Sequence, residues 1–224
     1  MPAAPALLPE LAGSTQPTAE VRSSVLDALG FVCDAHPDRI VVLVEADSTA
    51  TYPADTALGL HRLGGMGAPE RPSPPFLPIP LAVGRRLLDA VGWRGQTELR
   101  TVDRMAPASA LLEIGQGLAA TSVDTAVVLL GNASARSTDK APGAWHAGAQ
   151  AFNSAVARML RHGDRAAMAA MTAEEAHEQV SDIRLNLAIL AALSPSVDCA
   201  ARTLAGIEVG GVHYVIATFG KGPS

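Results

Sequence analysis

Two stretches of this chain carry residue types that could do chemistry. The first, Glu45-Ala-Asp-Ser-Thr-Ala-Thr-Tyr52, offers Asp47 as a carboxylate base and Tyr52 as a hydroxyl donor. The second reads Gly131-Asn-Ala-Ser-Ala-Arg-Ser-Thr-Asp-Lys-Ala-Pro-Gly143. Its two cations, Arg136 and Lys140, together with backbone N–H groups of a glycine-containing loop, can hold a carboxylate or a phosphate. Asn132 and Ser134 add short polar side chains at the start of that loop. The competing reading is that Arg136, Asp139 and Lys140 pair with one another and only stiffen a long connection. Ser137-Thr-Asp-Lys140 matches the Ser-x-x-Lys spacing of a nucleophile and its base. That chemistry needs a helix start beneath the serine, which the loop does not offer, so the match reads as coincidence. Ligand-binding candidates are therefore Tyr52, Asn132, Ser134, Arg136 and Lys140. Asp47, Asp139, His146 and His213 are weaker candidates for catalysis.

The six histidines, His36, His61, His146, His162, His177 and His213, show no pair three or four residues apart, the spacing that puts two imidazoles on one helical face. His36 and His162 fall at expected helix ends, where a cation complements the dipole. His177 lies among Glu174, Glu175 and Glu178 and reads as a solvated face. His146, beside Trp145, could reach a pocket, whereas His213 in an expected strand reads as a partnered structural histidine. The two cysteines, Cys33 and Cys199, cannot build a disulfide framework or a closed zinc site, and they suit a reducing compartment. No metal set emerges, and no cofactor is expected from these residues.

The elements that must position the two loops follow from apolar periodicity. Residues 18–35 repeat Val21, Val25, Leu29 and Val32 at helical spacing. Residues 39–45 form a short β-branched run, apolar on both faces, as in a strand covered on both sides. Residues 46–80 look irregular, and the tail Arg71-Pro-Ser-Pro-Pro-Phe-Leu-Pro-Ile-Pro80 is expected to be loop or polyproline II. Its Pro72-Ser-Pro-Pro75 reads as a rigid connection rather than a partner motif. A helix over 81–91 closed by Gly92, a strand over 97–102 and a helix over 107–120 with Pro107 in its first turn follow. A second buried strand spans 124–130, with the loop 131–146 behind it. Residues 148–193 read as helical in at least three pieces, with Asp164 as an N-cap and Thr172-Ala-Glu-Glu175 as a capping box. Residues 203–208 and 212–219 form a hairpin across Gly210-Gly211. This alternation predicts one domain over 1–224: a three-layer α/β/α sandwich with a largely parallel central sheet and a C-terminal β-hairpin. Ligands of such folds collect beyond the carboxyl ends of the strands, which selects the loops after Glu45 and Leu130.

Composition narrows the function classes. With 224 residues, 48% hydrophobic and 17% charged, the chain has material for a core and is not a disordered polymer. A net charge of −5 gives no basic footprint for nucleic acid or an anionic membrane, and 4% aromatics argue against base-stacking platforms. The proline-broken N-terminus lacks the cationic start of a secretory signal, and no apolar run is long enough to span a bilayer. A cytoplasmic protein is expected. The helix over 152–171, with Met159, Met168 and Met171, is core or interface material, which admits a homodimer.

Several segments carry a family resemblance: Leu7-Leu-Pro-Glu-Leu-Ala-Gly13; the Val127 to Gly143 unit with its Ser-Ala-Arg-Ser-Thr-Asp-Lys-Ala-Pro-Gly core; a Phe152 to Asp164 run of the form Phe-x-x-Ala-Val-Ala-Arg-x-Leu-x-x-Gly-Asp; and Gly211-Val-His-Tyr-Val-Ile-Ala217. In these the chain resembles small actinobacterial LigB-like proteins of the class III extradiol ring-cleavage dioxygenase superfamily, relatives of the catalytic subunit of protocatechuate 4,5-dioxygenase. The resemblance implies an α/β fold. In the active family two histidines and one carboxylate hold Fe(II), and a further histidine serves as acid and base. The first ligand histidine would stand just ahead of residue 7, where Ala3, Ala4, Pro5 and Ala6 occur. The second would follow Glu45, where Ala46, Asp47 and Ser48 occur. The acid/base histidine would follow Leu130, where Asn132, Ala133 and Ser134 occur. Asp182 and Arg184 lie near the expected carboxylate.

The resemblance therefore implies the fold without the iron chemistry: a dioxygenase-like protein that has lost its iron site and binds a small ligand or a protein partner. Two alternatives stand beside it. One is a metal-free enzyme acting on a small anionic or aromatic substrate through Asp47 and the Arg136/Asp139/Lys140 loop. The other is a true Fe(II) dioxygenase in which His146, His213 and a carboxylate gather in space.

Overall fold

In the computed structural model, which describes residues 1–13, 16–63, 75–193 and 198–220, the strand with the most continuous apolar run lies inside the sheet. This is β1 (Arg39–Ala46), whose residues Ile40 to Val44 are all buried. Only a strand covered on both faces can bury every side chain of such a run. It is flanked in parallel by β3 (Gln96–Asp103) and β4 (Thr125–Leu130), with Arg39 level with Gln96 on one side and Thr125 on the other. The short β2 (Ala50–Tyr52) adds an antiparallel edge to β3, giving the order β2-β3-β1-β4. Two parallel strands cannot be joined by a tight turn, so α2 (Ile79–Ala90) lies in the connection from β1 to β3 and α3 (Ala108–Ala119) in that from β3 to β4, while α1 (Ala19–Asp34) precedes β1.

The two faces of β1 feed separate cores. Ile40, Val42 and Val44 pack toward α1 and α2, where Val21, Val25, Leu29, Leu81 and Leu87 converge. Val41 and Leu43 pack toward α3 and α7 (Ile183–Ala192) with Leu111, Leu185 and Ile189. Helix α7 is the most enclosed element: every residue from Ile183 to Leu190 is buried, Arg184 and Asn186 included. Its outer side meets α4 (Ala149–His162) and α5 (Arg165–Ala170) through Val156, Leu160, Met168 and Leu187. Each fully buried Leu, Ile or Val here contributes about 1.5–3 kcal/mol relative to exposure.

Local signals account for most helix boundaries. Asp164 accepts from the Ala167 N–H at 3.0 Å and opens α5, while Thr172 and Glu175 form the full capping box of α6 (Ala173–Glu178). The expected helical stretch 148–193 thus resolves into four helices. The hairpin β5 (Thr203–Val209) and β6 (Val212–Thr218) forms a separate two-stranded sheet. Its two-residue turn puts both Gly210 and Gly211 at positive φ, 59° and 77°, which side chains resist.

Three boundaries differ from the sequence expectations. Helix α2 starts at Ile79, not Leu81, because Pro80 sits in the first turn where its missing N–H has no intrahelical acceptor to lose. Pro107 is the N-cap of α3 rather than a first-turn residue. The stretch 46–80, expected to be irregular, contains β2 and a 3₁₀ turn, Leu60–Leu63. Most of Pro72-Ser-Pro-Pro75 lies outside the described residues. Among the described residues, no helix is long and apolar enough to cross a membrane.

Candidate functional site

The carboxyl ends of β1, β3 and β4 meet the amino end of α7, and charged residues collect there. Glu45 lies at the end of the otherwise apolar β1, on the α7 side. Its carboxyl is pushed up to about 7, first by burial and then by the neighbouring charge of Asp182; Arg104, Arg184 and the Leu185 N–H pull the other way. Asp182, in the N-cap position of α7, is likewise raised by burial and lowered by Arg104. Arg104 follows β3 directly, and its N–H reaches the Ala46 carbonyl at 2.8 Å, which brings the ends of the two strands together. Its guanidinium pairs with Asp47 at 2.9 Å. Arg184, 7% exposed, donates to the Arg104 and Ala106 carbonyls at 3.2 and 2.8 Å.

Beside this cluster a cavity of about 280 Å³ opens between the first residues, β1, β4 and the hairpin. Ala3, Ala4, Val44 and Leu130 supply apolar wall, and Asn132, Asp182 and Tyr214 supply the polar side chains. Burial pushes the Tyr214 phenol up, so it stays a neutral hydroxyl. The wall between β4 and α7 is tied by the Ser181 hydroxyl, which donates to the Asn132 carbonyl at 2.8 Å, and by the Asp182 N–H, which reaches the same oxygen at 3.2 Å.

The second loop is held by its own hydrogen bonds. Ser134 is fully buried; its N–H reaches Asn153 at 3.0 Å, and its hydroxyl donates to Gln179 at 3.1 Å and accepts from the Arg136 N–H. Arg136 donates to the Glu178 carbonyl at 2.8 Å and to the Ala144 carbonyl at 3.3 Å. Its guanidinium therefore closes the loop onto α6. Asp139 and Lys140 are exposed. Among the described residues Asp139 forms no ion pair with Arg136 or Lys140, and Arg136 instead holds the loop through the two carbonyls. Ser137 accepts from Asn153 at 3.3 Å and starts no helix.

The remaining candidates lie apart. Asp47 is almost fully exposed in its pair with Arg104. Tyr52 sits on the edge strand β2 opposite Leu99. His146 accepts at Nδ1 from the Gly148 N–H at 3.1 Å and meets Gln179 at 2.9 Å, with Nε2 3.1 Å from Glu178. His213 lies in β6; its backbone pairs with Ala133 and Ser134, and burial lowers its imidazole. Of the binding and catalytic candidates only Asn132 lines the cavity, together with Asp182, which the resemblance set near the expected carboxylate. Glu45 and Arg104 were not among them. The signal for Glu45 is a lone carboxylate ending a fully apolar buried strand.

An Fe(II) centre needs two imidazoles and a carboxylate on one face of the metal. The cavity presents alanines, an asparagine and one carboxylate, a donor set that does not fit that ion. Among the described residues, no three of His, Cys, Asp or Glu come together as a metal site.

No family model matches the chain, and no curated protein matches it. Among solved structures it is similar to the uncharacterized protein JW3007 from Escherichia coli K12, with 18% identity and a TM-score of 0.47 over 86% of this chain and 89% of that one.

Proposed function

We propose that this chain is a divergent protein of the class III extradiol dioxygenase type that binds a small molecule without iron, in the cavity at the carboxyl ends of β1 and β4. The observation that supports it is the cavity itself: about 280 Å³, apolar on most sides, with Asn132, Asp182 and Tyr214 as its polar groups. Its volume is at the lower end of ligand pockets, which begin near 300 Å³, and suits a single substituted ring. The Asp182 carboxyl accepts hydrogen bonds, so the favoured ligand carries a hydroxyl or ammonium donor on a largely apolar body.

Chemical-shift mapping with phenol, catechol and benzylamine tests this. Binding should move the Val44, Gly131 and Asn132 amides, and Ala4→Phe, which fills the cavity, should abolish the shifts while the protein still melts cooperatively. Absence of shifts with all three probes in the native chain would sink the reading.

A second reading is favoured by Glu45, a carboxyl near 7 beside the raised Asp182. Two carboxyls in different environments are what general acid–base catalysis uses. Under this reading the protein is a metal-free enzyme, with Glu45 and Asp182 rather than Asp47 and the Arg136 loop moving the proton. Turnover lost in both Glu45→Gln and Asp182→Asn would distinguish it from simple binding.

A further inference from the structure

β4 is the last strand of the main sheet, and a slot of about 600 Å³ opens beside it. Successive residues of a strand turn their N–H and C=O groups to opposite edges. The Asp124 carbonyl accepts from Arg39 of β1 at 3.2 Å, so the N–H and C=O of Val127 point the other way, toward the slot. The far border is β6. His213 donates to the Ser134 carbonyl at 2.8 Å and accepts from the Ala133 N–H at 3.0 Å, so its backbone faces away from β5. By the same alternation Val215 and Ala217, which also line the slot, turn their backbone groups into it.

The two borders meet at one end, where His213 pairs with Ala133 and Ser134. The two faces of the slot are apolar, with Leu29 and Val32 of α1 on one and Leu187 and Leu190 of α7 on the other. The slot is therefore a thin space in the plane of the sheet, greasy above and below and polar along both edges. Peptide groups left unpaired in such surroundings are costly.

A side chain carries the same unmet demand. Asn186 of α7 lines the slot, is 6% exposed, and has no hydrogen-bond partner on either its amide nitrogen or its amide oxygen. A buried amide of that kind calls for a donor and an acceptor.

We propose that the slot is a second small-molecule site, for a flat, uncharged ring whose edge carries an N–H beside a C=O, as in a cyclic amide or imide. The N–H and C=O of one extended residue lie side by side, so such an edge pairs with Val127 through two hydrogen bonds. A second polar edge meets the β6 border or Asn186. Flatness follows from the position of the slot between two helix layers, and neutrality from its apolar faces. Its volume lies inside the usual range of ligand pockets, about 300–1,000 Å³, and leaves room for a bicyclic ring. A slot whose borders join at one end takes a whole small molecule more readily than a chain passing through. The argument is independent of the cavity at the carboxyl ends of β1 and β4.

The probe is quinazoline-2,4-dione, added to the full chain, and the control is its 1,3-dimethyl form, which keeps the ring and both carbonyls but has no N–H. At saturation the dione should slow hydrogen exchange at the Val127 amide by about tenfold or more and raise Tm with its concentration. The dimethyl form should change Val127 exchange by less than about twofold. Ala28→Trp, at a half-buried position of α1 that lines the slot, should abolish the protection while the variant still melts cooperatively. An unchanged Val127 amide with the dione at its solubility limit would overturn the proposal. Equal protection by both compounds would also overturn it, since the slot would then select for apolar surface alone. Protection by the linear acetyl-Val-Val-amide without protection by the dione would overturn it in favour of an extended peptide.

Discussion

Gly131 lies directly beneath the first turn of α7. A Cβ there would fall 2.5 Å from the Asp182 carbonyl oxygen and 2.8 Å from the Asn186 amide nitrogen. The carboxyl end of β4 and the amino end of α7 therefore approach as closely as backbone allows, and this contact sets one wall of the cavity. Gly131→Ala must push α7 away from the sheet. Backbone gives little, so a loss of about 2–4 kcal/mol is expected, read from urea unfolding of the variant against the native chain.

Glu45 makes stability depend on pH. A carboxyl whose folded pKa is raised from 4.5 to about 7 holds its proton more tightly in the folded state, so its contribution falls as pH rises from about 4.5 to 7 and is constant above. The Met1 ammonium, lowered from 8.0 to about 5, acts in the opposite sense between those values. The readout is therefore the difference between native chain and Glu45→Gln. That difference should grow in favour of Glu45→Gln between pH 5 and pH 8, by about 1–2 kcal/mol once partial exposure is discounted. Thermal melts of both proteins across that range check it, and parallel curves would refute the assignment.

Arg184 links the cluster to the loop after β3. Arg184→Ala leaves the Arg104 and Ala106 carbonyls without their donor and removes a cation beside Glu45. A cost of about 2–4 kcal/mol is expected, together with a further rise of the Glu45 titration followed by carboxyl NMR. Arg184→Lys should recover only part of the stability, since one ammonium cannot reproduce the two-carbonyl fork.

The loop 131–146 yields a contrast between its two cations. Arg136→Ala should cost about 1–2 kcal/mol, because it unties the loop from Glu178 and Ala144. Lys140→Ala, at an exposed position, should stay within about 0.5 kcal/mol. If instead both variants melt like the native chain but lose stabilisation by inorganic phosphate, the loop is an anion site after all.

How much of this was legible in the sequence depends on how far apart the interacting residues lie. β1 and β4 could be read directly, because a short β-branched run apolar on both faces has few other ways to fold. The Asp164 cap and the Thr172–Glu175 box could be read because their hydrogen bonds close within three residues. Local pattern also placed the hairpin turn at Gly210-Gly211. Helix α2 began two residues early because a proline is harmless in a first turn, a point that composition alone does not decide.

The site was mostly illegible. The sequence put it beyond the carboxyl ends of β1 and β4, and a cavity lies there. Which side chains would face it was another matter. Arg136 had the chemistry of an anion binder, yet tertiary contact gave its N–H groups to two carbonyls. Glu45 looked like the end of a strand, and only the arrival of α7 brought Asp182 and Arg184 against it. A strand or a cap is fixed by neighbours along the chain, so it is written locally. The protonation of Glu45 and the open edge of β4 are fixed by desolvation and by which segments arrive from elsewhere, and only the folded chain decides those.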